Sequence, residues 1–430
     1  MRTLAYGGAA YERWLSRLPR ASRPRPAAAR QADRVVAAVR ARGDSALIAL
    51  TRRFDGVRLT PARLRVRPSE IRALAQRADP AVVEALARMA ARIEAYHRRQ
   101  LAPGFRVRLD DGSLIEESVS PLASAGLYVP GGRGAYPSSV LMGAIPARVA
   151  GVPRLVIVTP PRTLEQNPAV AAAIAVAGAG GHVYRVGGAQ AIAALAFGTR
   201  TIPRVDKIVG PGNAFVAAAK RAVRGQVEID TDAGPSEVVI LADAAADAGF
   251  VAADLLAQAE HGSGDETVVL VTPSRALAAE VARLVLEGRA SVANRASTRR
   301  ALARNGAIVL VRDMAEGVLA VNALAPEHVE VQARGASRLA RGIVAGAVFV
   351  GPDSPVAVGD YGVGPNHVLP TGGAARFASP LSVRDFQRRQ SVVALSRRGL
   401  ARVAEDVVRV AMAEGFRGHA QSVLTRFEGA

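Results

Sequence analysis

The chain contains no cysteine. Structural disulfides, thiolate metal sites and a cysteine nucleophile are thereby excluded. Aromatic residues are scarce, at 4%. With glycine and alanine abundant, that composition fits an α/β protein with close helix–sheet packing better than an all-β one. Lysine is almost absent, because Lys207 and Lys220 are the only two. Long apolar runs are missing as well. The longest, around Ala169–Gly178, is Ala/Gly-rich and too short to span a bilayer. Met1–Arg20 has no continuous apolar stretch of the secretory kind. A cytoplasmic protein with no membrane association is the expectation.

The 430 residues are half hydrophobic, enough for two or three domains with a sizeable core. The formal net charge of +19 raises the question of an acidic partner. Nearly all the basic charge is arginine, spread along the chain and densest between Arg13 and Arg34. No stripe of aromatics interleaves it to stack bases. The charge therefore reads as compositional bias, and no nucleic-acid binding is expected.

Ala27–Arg53 and Pro68–Arg99 carry apolar residues at helical spacing. Ala21–Pro26 is a Pro/Arg-rich break. From Leu122 a different rhythm begins. Short β-branched runs at Arg154–Thr159, His182–Val186 and Val205–Val209 alternate with Ala-rich helical stretches. A second series has strands at Val238–Leu241, Thr267–Val271, Ala307–Val311, His328–Val331 and Ala347–Val350, with helices to His261 and over Ala276–Leu286. Alternation of this kind implies βαβ units and parallel sheets. The expected fold is α/β, with two doubly wound, incompletely Rossmann-like domains and helical extensions at both ends. No Gly-x-Gly-x-x-Gly fingerprint follows a strand, and no Walker A sequence is present. Three glycine-bearing turns do follow strands: Val129–Gly134, Gly187-Gly188-Ala189-Gln190 and Gly210-Pro211-Gly212-Asn213. Each could bring backbone N–H groups close to a nucleotide.

The six histidines divide by context. His97 lies in an Arg-rich helical stretch and is expected at the surface, and His182 opens a strand. The other four stand in unusual surroundings. Gln258 and His261 share a helical face just before Gly262. Without cysteine, a divalent metal there needs nitrogen and oxygen ligands. Glu327–His328 puts a carboxylate beside an imidazole at the mouth of a strand, suited to proton transfer. The loop Val358–His367 combines Asp360, Asn366 and His367 with small and rigid residues, as loops that serve a site do. Glu414 and His419 flank two glycines near the C-terminus.

At these residues the chain resembles the histidinol dehydrogenase family. The matching segments are Gln258-Ala-Glu-His261-Gly, Ala325-Pro-Glu-His328-Val-Glu, Gly359-Asp-Tyr, Asn366-His-Val-Leu-Pro370 and Glu414-Gly-Phe-Arg-Gly-His419. Gly126-Leu-Tyr-Val-Pro-Gly-Gly132, Tyr136-Pro-Ser-Ser-Val-Leu-Met142, Gly187-Gly-Ala-Gln190, Gly210-Pro-Gly-Asn213 and Ala233-Gly-Pro-Ser-Glu237 agree in order. The resemblance implies oxidation of L-histidinol to L-histidine in two NAD-dependent steps, the last of histidine biosynthesis, by a zinc-dependent homodimer. It implies zinc ligands at Gln258, His261, Asp360 and His419, which with His328 also line the substrate. Ser236, His367 and Glu414 would contact the substrate too, and Tyr128, Gln190 and Asn213 would touch NAD. Glu414 and His419 would reach the site of the partner subunit.

The implied division of the chain is an N-terminal extension over 1–25 and a zinc-bearing domain from 26–128 and 237–380. A cofactor-side domain over 129–236 and a C-terminal extension over 381–430 complete it. A related dehydrogenase of a sulfonated propanediol is the nearest alternative, and Glu414 disfavours it because a carboxylate repels a sulfonate. A non-catalytic, basic nucleic-acid-binding protein is the distant one.

The chemistry narrows the roles. Neutral His328 suits proton removal from an alcohol near neutral pH. The aldehyde must then gain an oxygen before a second hydride can leave. A thiohemiacetal is closed to a chain without cysteine, so water must add. Glu327 is the natural activator of that water, and zinc then positions more than it generates hydroxide.

Overall fold

The computed structural model describes residues 1–19, 26–131, 136–231 and 234–428. They form two units. The larger contains residues 1–100 and 122–386, and the smaller residues 101–121 and 387–430.

Two six-stranded sheets organise the larger unit. The first runs Arg2–Ala5, Ala307–Leu310, Thr267–Thr272, Glu237–Ala242, His328–Gln332, Ala347–Val350, with all neighbours parallel. Its central strands are buried along their whole length, which is why they read as unbroken Val/Ile/Leu runs. The second runs Arg65–Val66, Val183–Arg185, Leu155–Thr159, Ala125–Tyr128, Lys207–Val209, Glu228–Ile229. It is parallel except for the antiparallel edge strand Arg65–Val66. The doubly wound, parallel α/β expectation holds for both series.

Several expectations need correction. The segment 26–128 contributes its two strands in this unit, Arg65–Val66 and Ala125–Tyr128, to the second sheet and not to the sheet of 237–350. The N-terminal piece is not purely helical. Arg2–Ala5 pairs in parallel with Ala307–Leu310, and only then does the helix Ala9–Arg17 bury Tyr11 and Trp14. Residues 20–25, which include most of the Pro/Arg break, lie outside the described residues. The long helical stretches are each divided. Gly43, at φ +53°, separates Pro26–Arg42 from Asp44–Asp55. Asp79 caps a fresh helix over Pro80–Arg98 by accepting from Ala81 N–H at 2.8 Å, after Pro68–Ala75 has ended.

Both lysines are structural. Lys220 is buried against Asp230 and donates to Gly210 O at 2.9 Å, while Gly210 N–H donates to Asp230 Oδ2 at 2.7 Å. Lys207 pairs with Asp385 at 3.0 Å. The turn that begins at Gly210 is thus pinned by a buried ion pair.

The smaller unit is an antiparallel sheet of Phe105–Arg108, Leu114–Pro121 and Gln387–Ala394, followed by the helices Arg397–Ala413 and Arg417–Leu424. The C-terminal extension expected over 381–430 therefore contains an eight-residue strand, Gln387–Ala394, where helix was expected, and its first residues, 381–386, belong to the larger unit. The strand's Gln, Arg and Ser content and mostly exposed side chains gave no alternating signal.

Candidate active site

The first sheet brings Glu327 and His328 to the amino end of a central strand. His328 begins the strand His328–Gln332 and lies in register with Val238 of Glu237–Ala242. The approach is tense. Ala325, which ends the helix Met314–Leu324, adopts φ +46°, and it is the only non-glycine residue with positive φ among the described residues.

Glu237 holds the pair in place by three bonds and makes a fourth to Gly372. Its N–H donates to Glu327 Oε2 at 2.9 Å, and its carbonyl accepts from His328 Nδ1 at 3.0 Å. Its carboxylate accepts from Glu327 N–H at 3.2 Å and from Gly372 N–H at 3.1 Å. A carbonyl cannot donate, so the bond to Glu237 O fixes the His328 proton on Nδ1 and leaves Nε2 as an acceptor. Burial lowers the His328 pKa against smaller upward effects of Asp360 and the Glu237 carbonyl. The imidazole is therefore neutral near pH 7. Glu327 is driven the other way, to about 8, chiefly by burial, with the charge of Asp360 adding to the rise. The Glu237 N–H, His261 and the Ser236 hydroxyl act against it, which places Ser236 beside Glu327.

Around this pair stand three more predicted residues. Asp360, in the short helix Val356–Tyr361, is 3.7 Å from His367 Nδ1, whose nearer partner is the Asp360 carbonyl at 3.2 Å. His367 is largely but not fully buried, its pKa is lowered mainly by desolvation, and it feels both His328 and His261. Its Nε2 lies 3.4 Å from Ser139 Oγ, in the helix Pro137–Ala150 that follows strand Ala125–Tyr128. Asn366 ties the same loop to that helix by donating to Met142 O at 2.7 Å. His97 is a correction: it is wholly buried, not superficial. Its Nδ1 bonds Ile93 O at 2.8 Å, and its Nε2 sits 3.5 Å from Asn366. The apolar face of its helix, not its arginines, sets its place.

Gln258 and His261 come from the end of the helix Ala248–Ala259, which starts at the Asp247 cap. His261 Nδ1 is 3.2 Å from Gln258 O and so closes the helix, leaving Nε2 exposed. Gln258 is 2% exposed, and its amide nitrogen has no hydrogen-bond partner. Such an orphan is costly unless the amide meets a ligand. Gln258, His261 and Asp360 would offer a divalent cation one amide, one imidazole and one carboxylate, ligands of the nitrogen and oxygen kind such a cation takes. Among the described residues, no group of three or more His, Asp or Glu could hold a metal by itself. The other two predicted residues, Glu414 and His419, belong to the smaller unit, and both are exposed there.

The proposed cofactor contacts lie at the opposite polarity, at the carboxyl ends of the second sheet. Tyr128 ends its strand, and its buried hydroxyl accepts from Gly188 N–H at 3.1 Å. Burial pushes its pKa up to about 12, so it stays a neutral phenol. Gln190 is buried in the helix Gly188–Phe197. Asn213 is exposed and caps Ala214–Val223 by accepting from Phe215 and Val216 N–H at 3.0 and 3.1 Å. Gly210 must be glycine, because at φ +112° a Cβ would stand 2.2 Å from Tyr128 O. Residues 132–135 of the first turn lie outside the described residues.

Sequence reasoning missed Glu237, although its segment was singled out. It also missed Glu330, which is buried on the same strand as His328. Glu330 accepts from Val356 N–H at 2.7 Å and from Gln332 Nε2 at 3.0 Å, and it hydrogen-bonds Asp254 of the Gln258 helix. One carboxyl thus joins the three elements that carry Gln258, His328 and Asp360. The signal was a Glu two residues beyond His328, between Val329 and Val331 in a fully buried strand.

The sequence model of the family described as histidinol dehydrogenase matches residues 18–427. A histidinol dehydrogenase of Halalkalibacterium halodurans is 46% identical over 397 residues, which cover 92% of each chain. One from Listeria monocytogenes is 43% identical over 395 residues, again 92% of each chain. The crystal structure of histidinol dehydrogenase from Elizabethkingia anophelis superposes with a TM-score of 0.92 at 31% identity, covering 100% of this chain and 98% of that one.

Proposed function

Because the chain belongs to the histidinol dehydrogenase family, an oxidoreductase family, we propose that it oxidises L-histidinol through L-histidinal to L-histidine in two NAD-dependent steps. The observation that carries this reading is the His328 imidazole, buried, neutral, and left with one acceptor nitrogen by its bond to Glu237 O. Gln258, His261 and Asp360, with His419 from a second copy of the chain, would hold zinc, which supplies a fixed positive charge that orients the substrate's amine and imidazole. Tyr128, Gln190 and Asn213 would hold NAD, which supplies the hydride acceptor.

The remaining steps fall to the chain's own side chains. The alcohol proton passes to His328 Nε2 as the carbinol hydride leaves, giving the aldehyde. Water then adds to the aldehyde carbon. Glu327 takes a proton from that water, its raised pKa making it a stronger base than an ordinary carboxylate once ionised, while protonated His328 returns its proton to the former carbonyl oxygen, giving the gem-diol and a neutral imidazole again. The gem-diol loses a second proton to His328 and a second hydride, leaving the carboxylic acid. Ser236 and His367 would hold the substrate, and Glu414 of the second copy would meet its cationic end. A homodimer acting in the last step of histidine biosynthesis follows from the same reading.

The test is NADH release from purified protein with zinc and L-histidinol. Two NADH per histidinol consumed is the expected result. One NADH with accumulating aldehyde would refute the second step. Turnover of a sulfonated propanediol in place of histidinol would refute the substrate.

A further inference from the structure

The strand that begins at His328 is polar on one of its two buried faces. Side chains alternate along a strand, so His328, Glu330 and Gln332 point to one side and Val329 and Val331 to the other. All five are buried. Val329 and Val331 join an apolar layer with Trp14 and Leu324. An apolar side chain at position 330 would fill its place without taking a carboxyl out of water. Packing alone therefore does not explain Glu330.

Its bonds run to two helices. Oε1 accepts from Val356 N–H at 2.7 Å. Val356 is the first residue of the helix Val356–Tyr361, and Pro355 before it makes no side-chain cap. The first N–H groups of a helix have no partner within it, and Glu330 supplies one from another strand. A helix of six residues is too short to hold itself in place by its own hydrogen bonds. Asp360 lies four residues beyond Val356, about one turn, so the tether fixes the turn that carries it.

On its other side Glu330 hydrogen-bonds Asp254. Asp254 precedes Gln258 by four residues and shares its face of the helix Ala248–Ala259. Ionised carboxylates only accept, so a bond between two carboxyls holds a proton between them. No lysine or arginine is among the groups that act on either one. The shared proton joins them where two negative charges would repel.

We propose that Glu330 is a positioning residue for the divalent cation, its bridge to Asp254 tying the helices of Gln258 and Asp360 to the strand of His328 and setting how tightly the cation is held. The inference rests on the zinc site proposed above. Glu330 acts through Asp254 on Gln258 and through Val356 on Asp360, and touches neither cation nor substrate. Removing a group that orients metal ligands weakens metal binding by about 10–100-fold.

The experiment is zinc partition between the full-length protein and a chromogenic chelator near pH 7, for wild type, Glu330→Gln, Glu330→Ala and Val356→Pro. Glutamine preserves both bonds, accepting from Val356 N–H and donating to Asp254, whereas alanine removes both. Val356→Pro removes only the N–H, at a first-turn position that suits proline. Glu330→Ala should hold zinc about 10–100-fold more weakly than wild type. Glu330→Gln should match wild type, and Val356→Pro should bind more weakly. Circular dichroism checks that each variant is folded at the temperature of the titration, and if Glu330→Ala is not, Val356→Pro decides. Lower thermal stability with unchanged zinc affinity in Glu330→Ala overturns the proposal. So does equal weakening in the glutamine and alanine variants, which would assign the effect to charge. Zinc absent from wild type, or zinc binding untouched by His261→Ala, refutes the metal site and the proposal with it. Zinc held at His261 with equal affinity in every Glu330 and Val356 variant refutes the bridge alone.

Discussion

Replacing Glu330 by glutamine should leave the fold intact and change how its stability depends on pH. Glu330 is 1% exposed. Burial first, then the charge of Asp254, raises its pKa from 4.5 to about 8. The unfolded chain releases this proton near 4.5, whereas the folded chain keeps it to about 8. Within that window the folded state binds the extra proton. Its contribution therefore favours folding at the acid end and is lost progressively as pH rises to about 8. One proton held by one state corresponds to about 1.4 kcal/mol per pH unit. Glutamine has no such slope. It can accept from Val356 N–H and donate to Asp254. Gln332, whose Oε1 has no partner, can turn its amide to match. Thermal unfolding followed by circular dichroism at steps across the window should show the variant gaining on wild type as pH rises, by up to about 1.4 kcal/mol per unit. Parallel curves would refute the reasoning. Glu330→Ala is the control. It strands the Val356 N–H and should lie about 1–3 kcal/mol below the glutamine variant at every pH.

His328→Ala should cut NADH production from histidinol by roughly 10²–10⁴-fold with bound zinc unchanged by metal analysis, and near-normal turnover would dismiss His328 as the base. Glu327→Gln should slow oxidation of the aldehyde more than that of the alcohol in half-reaction assays. In wild type, the aldehyde half-reaction should quicken as pH rises through about 8, where Glu327 ionises. Val403, Val407 and Val410 form an exposed apolar stripe on the helix Arg397–Ala413. Val407→Glu should shift the protein from dimer to monomer in sedimentation and abolish activity, since each site is proposed to need Glu414 and His419 of a second copy.

Much of the larger unit was legible because its central strands are apolar on both faces and a helix such as Ala214–Val223 begins at a readable cap, Asn213. The sheet membership of Arg2–Ala5, Arg65–Val66 and Ala125–Tyr128 was not, because pairing between distant segments leaves no local periodicity. The strand Gln387–Ala394 was hidden for a related reason, as its polar side chains are mostly exposed. In the site, Glu327, His328, Asp360 and His367 stood out by odd local sequence. Glu237 and Glu330 did not, because a Glu in an apolar strand acquires meaning only from what it touches. His97 misled because nearby arginines masked the apolar face of its helix.

Glu327 and His328, the pair proposed to move protons, stand at the amino end of their strand, on the rim opposite Gln332. At the Gln332 rim the chain turns after Ala242, Thr272, Leu310 and Gln332. That rim is open ground for engineering. A peptide tag spliced between the exposed residues Arg334 and Gly335 is separated from His328 by the length of the strand His328–Gln332, about 17 Å. A tether, label or fusion placed there keeps that distance from the pair proposed to transfer protons.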